Sequence, residues 1–455
     1  MSEQNDIRDL TQGQVSAHMV RLSGFMMLSM ISFMVASLAE MFFIGKVGTS
    51  ELAAISFTFP VVYTLQGVSM GLGIGASSVV ARATGLRETE RVKRLVTHGL
   101  ILGTTASIIL AIVTAFFLQD IFILLGAEGD VLDLIVVYME IWLFGLPIFT
   151  MTFVGTTLLR AIGDAKTPGY ISALGSILHI ALAPPCIFGL GPIPAMGLEG
   201  AAISFVVARH LAFTLFVYCL VFRDRMLVAD LGGFARSFRD IMHVGLPAMA
   251  SNMIMPMSMS VMTRLLASHG VVVVAGFGVA SRIESILVMV IWAVGMSISP
   301  LVGQNWGASA YDRAQTATRL GNTFVVAYGV FAYIVFVAIG EYMVMLLNSD
   351  PAVIAMAYAY LLIAPIAVGA NGVINIATNS FNALGKPMPA LVITILQMIV
   401  VNIPLMLLGD LLWGYRGIYA GGVVTTITVS IVAWLWIQRT IGKRARRAAT
   451  EPAPA

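Results

Sequence analysis

Apolar stretches set off by short polar loops recur twelve times along this chain, each near the roughly 20 residues that a helix needs to cross a hydrocarbon layer about 30 Å thick. They predict spans at 17–45, 51–82, 95–118, 131–159, 167–189 and 198–222, then at 240–267, 271–304, 317–346, 351–381, 388–409 and 416–438. The pattern also repeats, with one offset of 222 positions: Gly48 pairs with Gly270, Gly73 with Gly295, Gly85 with Gly307, Arg91 with Arg313 and Gly99 with Gly321. The same offset pairs Tyr138 with Tyr360, and "LRAIGD" with "FNALGK". Six spans per repeat preserve the direction of each helix, so the repeat is parallel. The predicted fold is therefore an all-α integral membrane protein, twelve transmembrane helices in two six-helix lobes, which is an architecture of secondary transporters.

The lobes are expected at 14–223 and 240–442, joined by a cytoplasmic linker at 224–239 and followed by a basic tail at 443–455. Composition agrees with the bilayer. At 58% hydrophobic and 11% charged residues, with a mean hydropathy of +0.92, the chain lacks the polar surface of a soluble globule. Positive residues in short loops stay on the cytoplasmic side. Arg82, Arg87, Arg91, Lys93 and Arg94 share one side with Arg223, Arg225, Arg236 and Arg239 and with Lys443, Arg444, Arg446 and Arg447. The other side holds Asp120, Glu128, Asp130, Asp133, Glu199, Glu341 and Asp350. Both termini are thus expected in the cytoplasm, and the protein in the plasma membrane.

The formal charge of +3 is dispersed among membrane loops and makes no continuous nucleic-acid footprint. The polar start "MSEQNDIRDLTQGQ" and a long first span with no small-residue cleavage site predict no removable signal peptide. Cys186 and Cys219 fall inside spans and read as packing residues, without metal or disulfide spacing. "GVSMGLGIGA" formally matches a nucleophile elbow and part of a nucleotide loop. Both motifs need a preceding strand, whereas Gly67, Gly71 and Gly75 repeat every four residues inside one apolar span. That spacing predicts a seam of close helix packing. Among the prolines inside spans, Pro147 and Pro256 stand near polar residues and are candidate hinges, the others shaping a curved bundle.

Four motifs carry a family resemblance: "AEMFFIGKVGTSELAAIS", "LLRAIGDAKTP", "GLEGAAIS", and "GVASRIESI" with "PLVGQNWGA". In this order on a duplicated scaffold, they resemble the multidrug and toxic compound extrusion (MATE) family, in particular its bacterial and archaeal DinF-like branch. The resemblance implies no enzyme but a secondary antiporter. It would export organic compounds, cationic or amphipathic, by alternating access between the lobes. Protons would drive the exchange, with sodium ranked second, and no cofactor, resident metal or ATPase subunit is expected. Its partners would be small organic substrates and the lipid bilayer, with the protein a monomer.

Glu40 is the first candidate for coupling, because a carboxylate inside an apolar helix costs about 2.5 to 3.5 kcal/mol to insert and persists where it has a task. Where DinF-like relatives usually read Asn and then Asp four residues later, this chain has His179 and Ala183. His179 is a possible titrating partner for Glu40, and the lost carboxylate favours protons over sodium, which prefers oxygen ligands. Tyr138 and Ser204 match family positions that join this network. Glu140, two residues from Tyr138, points away from it. In the second lobe Glu284 is the carboxylate deep in a span, either a second coupling group or a helix anchor. Asn371, Asn375 and Asn379 form a polar stripe. With Asn252 and the methionines Met253 and Met257, Asn371 and Asn375 are the candidate substrate-binding residues, methionine suiting a surface that accepts many shapes. Two other readings compete with this one. A flippase for a lipid-linked precursor would need a strongly cationic cavity, and only Arg264, Arg282 and Arg209 are candidates. An intramembrane enzyme would need a nucleophile and base, or metal ligands, at one depth.

Overall fold

Each apolar stretch is a helix in the computed structural model, which describes residues 9–450. Residues 1–8 and 451–455, the outer parts of the predicted N-terminal segment and basic tail, lie outside the described residues. The helices are α1 (Val15–Val47), α2 (Thr49–Gly85), α3 (Thr89–Phe116), α4 (Gly129–Ala161), α5 (Lys166–Phe188) and α6 (Gly197–Tyr218). Then follow α7 (Phe234–Ala267), α8 (Val271–Gly307), α9 (Tyr311–Met345), α10 (Pro351–Ala383), α11 (Pro387–Trp413) and α12 (Tyr415–Thr450). Eleven of the twelve are long and apolar enough to cross a membrane. The other, α7, is 34 residues long but carries a more polar sequence, with Arg236, Arg239, Asp240 and Asn252. The repeat is visible in the helix ends: α2 and α8 begin at Thr49 and Val271 and end at Gly85 and Gly307, each pair 222 positions apart.

Proline leaves its mark mainly in the second repeat. Pro147 and Pro256 sit inside unbroken α4 and α7. By contrast, α10 passes through a 3₁₀ turn at Ala364–Ala367 around Pro365, and α11 widens into a π-turn at Leu396–Val400 just before Pro404. A proline lacks the N–H its helix needs and crowds the preceding turn, and a change of helical pitch relieves both. The basic segment expected as a tail continues α12, which carries Lys443, Arg444, Arg446 and Arg447 on helical backbone.

The described residues form two compact units: residues 9–24, 84–87 and 250–450 make one, and residues 25–83 and 88–249 make the other. In the first unit the residues before α1 are strapped to α8 and α9. The Leu10 N–H donates to Gln304 Oε1, Asn305 Nδ2 donates to the Leu10 carbonyl, and Arg313 donates to the carbonyls of Leu10, Gln12 and Gly13. Next to this strap, burial would raise the Asp9 carboxyl, but two hydrogen bonds from Thr11 and the charges of Arg87 and His18 hold it below its ordinary value. In the second unit the chain before α7 is held across α3 in the same manner. Thr97 Oγ1 accepts the Val228 N–H, and His98 bridges Ser237 and the Asp230 carbonyl. The nonhelical part of the linker ends at Gly233, whose φ of 75° needs a glycine, and α7 starts at Phe234, six residues before the predicted span.

The predicted glycine seam is seen at Gly71 and Gly75, which face α7. A Cβ on Gly71 would stand 2.7 Å from the Met249 nitrogen, and one on Gly75 would stand 2.4 Å from the Ile241 carbonyl oxygen and 2.8 Å from the Gly245 nitrogen. Beyond the seam, α2, α3, α4 and α6 bury an apolar cluster that includes Val80, Val96, Leu158 and Phe216. Asp164, in the LLRAIGDAKTP motif, receives the Thr167 N–H and hydroxyl at the start of α5 and pairs with Arg223 at 2.9 Å.

Candidate functional site

Four helices of the unit made by residues 25–83 and 88–249 bring buried polar groups in from one side. Glu40 lies seven residues before the end of α1, His179 nine before the end of α5, Tyr138 nine after the start of α4 and Arg209 twelve after the start of α6. Because successive helices run in opposite directions, these ends lie on one side, and a Cβ on Gly197 would be 3.6 Å from Val47. At a rise of about 1.5 Å per residue the four groups sit roughly 10 to 18 Å in from that side.

Glu40 Oε1 is 3.9 Å from His179 Nε2, and both atoms are buried without a hydrogen-bond partner. The gap is too long for a hydrogen bond, yet a shift of about 1 Å would close it. His179 is fixed by its neighbours: its ring meets Phe205 edge-on at 5.5 Å. Tyr138 is 5% exposed and within electrostatic range of Glu40. Arg209 lies within range of both Glu40 and His179, with its guanidinium carbon 5.1 Å from the Phe205 ring, 5.6 Å from Phe33 and 5.8 Å from Phe149. Ser176, one turn from His179 on α5, has a buried and unpartnered hydroxyl. Among the described residues, every buried side-chain polar atom of this unit without a partner belongs to Glu40, Ser176, His179 or Arg209. Buried polar atoms are normally paired, so this concentration marks the candidate site.

Such a group changes its contacts with its proton. Protonated, Glu40 is a donor that His179 Nε2 can accept. Ionised, it is an acceptor facing the charge of Arg209.

Ser204 is fully buried but its hydroxyl donates to the Ala201 carbonyl of its own helix, and it makes no bond to the other three coupling candidates. Ala183, where the family resemblance led to the expectation of an acid, is packed in the apolar core around Trp142 and Phe205. Glu140 is exposed, as its separation from Tyr138 predicts. Arg209 is the group that sequence reasoning undervalued. The available signal was an arginine twelve residues into an apolar helix; what it lacked was Phe33 and Phe149, which come from α1 and α4.

The other candidates belong to the unit that contains residues 250–450. Glu284 on α8 accepts a hydrogen bond of 2.5 Å from the Tyr360 hydroxyl on α10, rather than pairing with Arg282. Tyr360 packs edge-on against Phe277 and Tyr419. Each repeat therefore sets its tyrosine, Tyr138 or Tyr360, beside a carboxylate supplied by a different helix. Asn252 has an unpartnered buried Nδ2. Met253 and Met257 are 46% and 63% exposed. Asn371 receives a long hydrogen bond of 3.4 Å from Gln397, and Asn375 receives Asn379 at 3.0 Å. The asparagine stripe is thus partly spent on cross-links within the protein. No cluster of metal-ligating side chains occurs among the described residues, and both cysteines are free.

Comparison with known proteins places this geometry in a family. The MatE family profile matches residues 26–184 and 247–408, one match in each repeat. A protein of Shewanella oneidensis named as an FAD transporter is 32% identical over 406 residues, 89% of this chain and 90% of its own length. Multidrug export protein MepA of Staphylococcus saprophyticus is 25% identical and aligned over 92% of both chains. The crystal structure of the Vibrio cholerae MATE transporter VcmN in its bent form superposes with a TM-score of 0.90, at 28% identity, over 94% of this chain and 98% of that one. Twelve helices in two repeats, a buried carboxylate on α1 and a profile match through both repeats lead to one conclusion: the chain belongs to the MatE family of multidrug and toxic compound transporters, and is a membrane transporter rather than an enzyme.

Proposed function

We propose that this protein is a secondary antiporter that exports amphipathic organic compounds in exchange for protons, by alternating access between its two lobes. The observation that carries this reading is the buried, unpartnered Glu40 and His179 pair, 3.9 Å apart in the middle of a membrane bundle. It is a proton-binding group whose occupancy alters the bonding of α1, α5 and α6. Sodium is the weaker choice. A hard cation wants several oxygen ligands, and here one carboxylate faces an imidazole and a guanidinium. The relatives' names cover both multidrug export and FAD transport, in keeping with a range of organic cargo. Asn252, Met253, Met257, Asn371 and Asn375 are the candidates for cargo contacts in the second unit. The asymmetry of basic loops supports a plasma-membrane location with both termini cytoplasmic, and the protein is taken to act as a monomer.

The direct test uses purified protein in vesicles loaded with rhodamine 6G, a cationic dye, or fluorescein, an anionic one. Efflux of either dye driven by a pH gradient and not by a sodium gradient is expected. Efflux driven by sodium alone, or by neither gradient, sinks the reading.

Glu284 is proposed as a second, auxiliary proton site. The Glu284→Gln and Tyr360→Phe variants should each slow pH-driven efflux by about three- to tenfold without abolishing it, the scale of one ordinary hydrogen bond. Rates unchanged in both would make the pair a helix anchor.

A further inference from the structure

We propose that Arg209 is an anion-binding subsite for the cargo, so that the transported compounds include planar aromatic molecules bearing a phosphate or carboxylate group. The proposal rests on the transporter reading above and narrows its substrate class.

An arginine presents five N–H donors. Among the described residues none of those of Arg209 makes a hydrogen bond or ion pair, and its Nε is buried without a partner. Other arginines of the same unit are satisfied: Arg82 donates to Ser78, Arg160 to Thr157, and Arg223 to Asp164, Asp224 and Thr167. Arg264 and Arg282, the remaining cations singled out from sequence, are exposed at the surface. Arg209 alone of these combines burial in a bundle with unused donors. Phe33, Phe149 and Phe205 surround it at 5.1 to 5.8 Å. Aromatic faces partly compensate a cation's charge, but they leave its N–H groups unbonded, and those groups are a fork suited to phosphate or carboxylate. The rings also supply faces for a flat ligand, and Phe33 is 43% exposed. The distance from the helix end, roughly 18 Å at about 1.5 Å per residue, puts the fork beyond the headgroups of the lipid around it.

Gly175 spares the fork from crowding. A Cβ built there would lie 3.9 Å from Arg209 Nη1 and 3.1 Å from Ala212, so a larger side chain would press on the guanidinium and on α6. The subsite is separate from the proton pair but electrically joined to it. A proton on Glu40 removes a negative charge facing Arg209 and so strengthens anion binding. The mutual exclusion that an antiporter needs must then come from the two states of the bundle, not from competition at this arginine.

The test is equilibrium binding of two fluorescent probes that differ by one phosphate, riboflavin 5′-phosphate and riboflavin, to the purified full-length protein. The wild type should bind the phosphate-bearing probe about 10- to 100-fold more tightly, the range expected for charge-assisted hydrogen bonds. Arg209→Gln should erase that preference, so that the two probes bind alike. Arg209→Lys, which keeps the charge but loses the planar fork, should retain only part of it, and serves where the glutamine variant does not fold. Equal binding of the two probes by the wild type, binding of neither, or a preference that survives both substitutions would overturn the subsite. The antiporter reading is scored separately by the gradient assay: an Arg209-dependent preference without proton-driven efflux would leave the subsite standing and remove the antiporter.

Discussion

Glu40→Gln is expected to abolish pH-gradient-driven efflux, lowering the rate by about 100-fold or more, the scale on which loss of a proton-transfer group costs. Glutamine fills the same volume and can still hydrogen-bond to His179, so the helices should pack as before. What it loses is the ability to ionise. In the proposed cycle the wild-type carboxyl alternates between donating to His179 Nε2, once the 3.9 Å gap has closed, and presenting a negative charge to Arg209; the amide is fixed in the neutral condition. Cargo binding should therefore survive while turnover stops, and a variant that binds but does not transport is the expected signature. Efflux at the wild-type rate would remove Glu40 from the mechanism and move the proton to Glu284.

Gly75→Leu should leave little folded protein. Helices α2 and α7 meet backbone to backbone here: a Cβ on Gly75 would be 2.4 Å from the Ile241 carbonyl oxygen and 2.9 Å from the Gly245 Cα. None of these atoms is the end of a flexible side chain, so the helices themselves must move apart. Overpacking in a tight core ordinarily costs about 1 to 3 kcal/mol, and a whole leucine against two backbones should reach or exceed the top of that range. Membrane helices draw much of their cohesion from such close contacts. The variant should fall from solution in a thermal size-exclusion assay well below the wild-type temperature, with Gly75→Ala in between. A stable leucine variant would mean that α2 and α7 do not touch along this seam.

The long-range plan of the fold was legible because hydropathy and direction are written residue by residue. Twelve spans, their order and the 222-residue repeat needed nothing beyond the apolar runs and the paired glycines. The seam of Gly71 and Gly75 was legible too, but its partner helix was not, since the small residue that answers it, Gly245, lies far along the chain. Glu40, His179 and Tyr138 stood out as polar groups in apolar helices, and the structure gathers them in one unit. Ser204 looked equivalent on sequence. Its hydroxyl is satisfied one turn away on its own helix, a choice that residue type does not encode. Arg209 was passed over for the opposite reason: its significance lies in the acceptors it lacks and in rings from α1 and α4. Pitch changes in α10 and α11 were hidden as well. Pro365 and Pro404 produce them, whereas Pro147 and Pro256 leave their helices unbroken.

The central claim is that protons moving through the Glu40 and His179 pair drive export. The measurement that tests it most directly records both movements at once, in vesicles of purified protein carrying a pH-sensitive dye on the side that receives protons and a fluorescent cargo on the side that loses it. Addition of a pH gradient should produce cargo efflux and proton flow in a fixed ratio, both lost in Glu40→Gln. Cargo efflux without accompanying proton movement, or proton-coupled efflux that persists in that variant, would contradict the account.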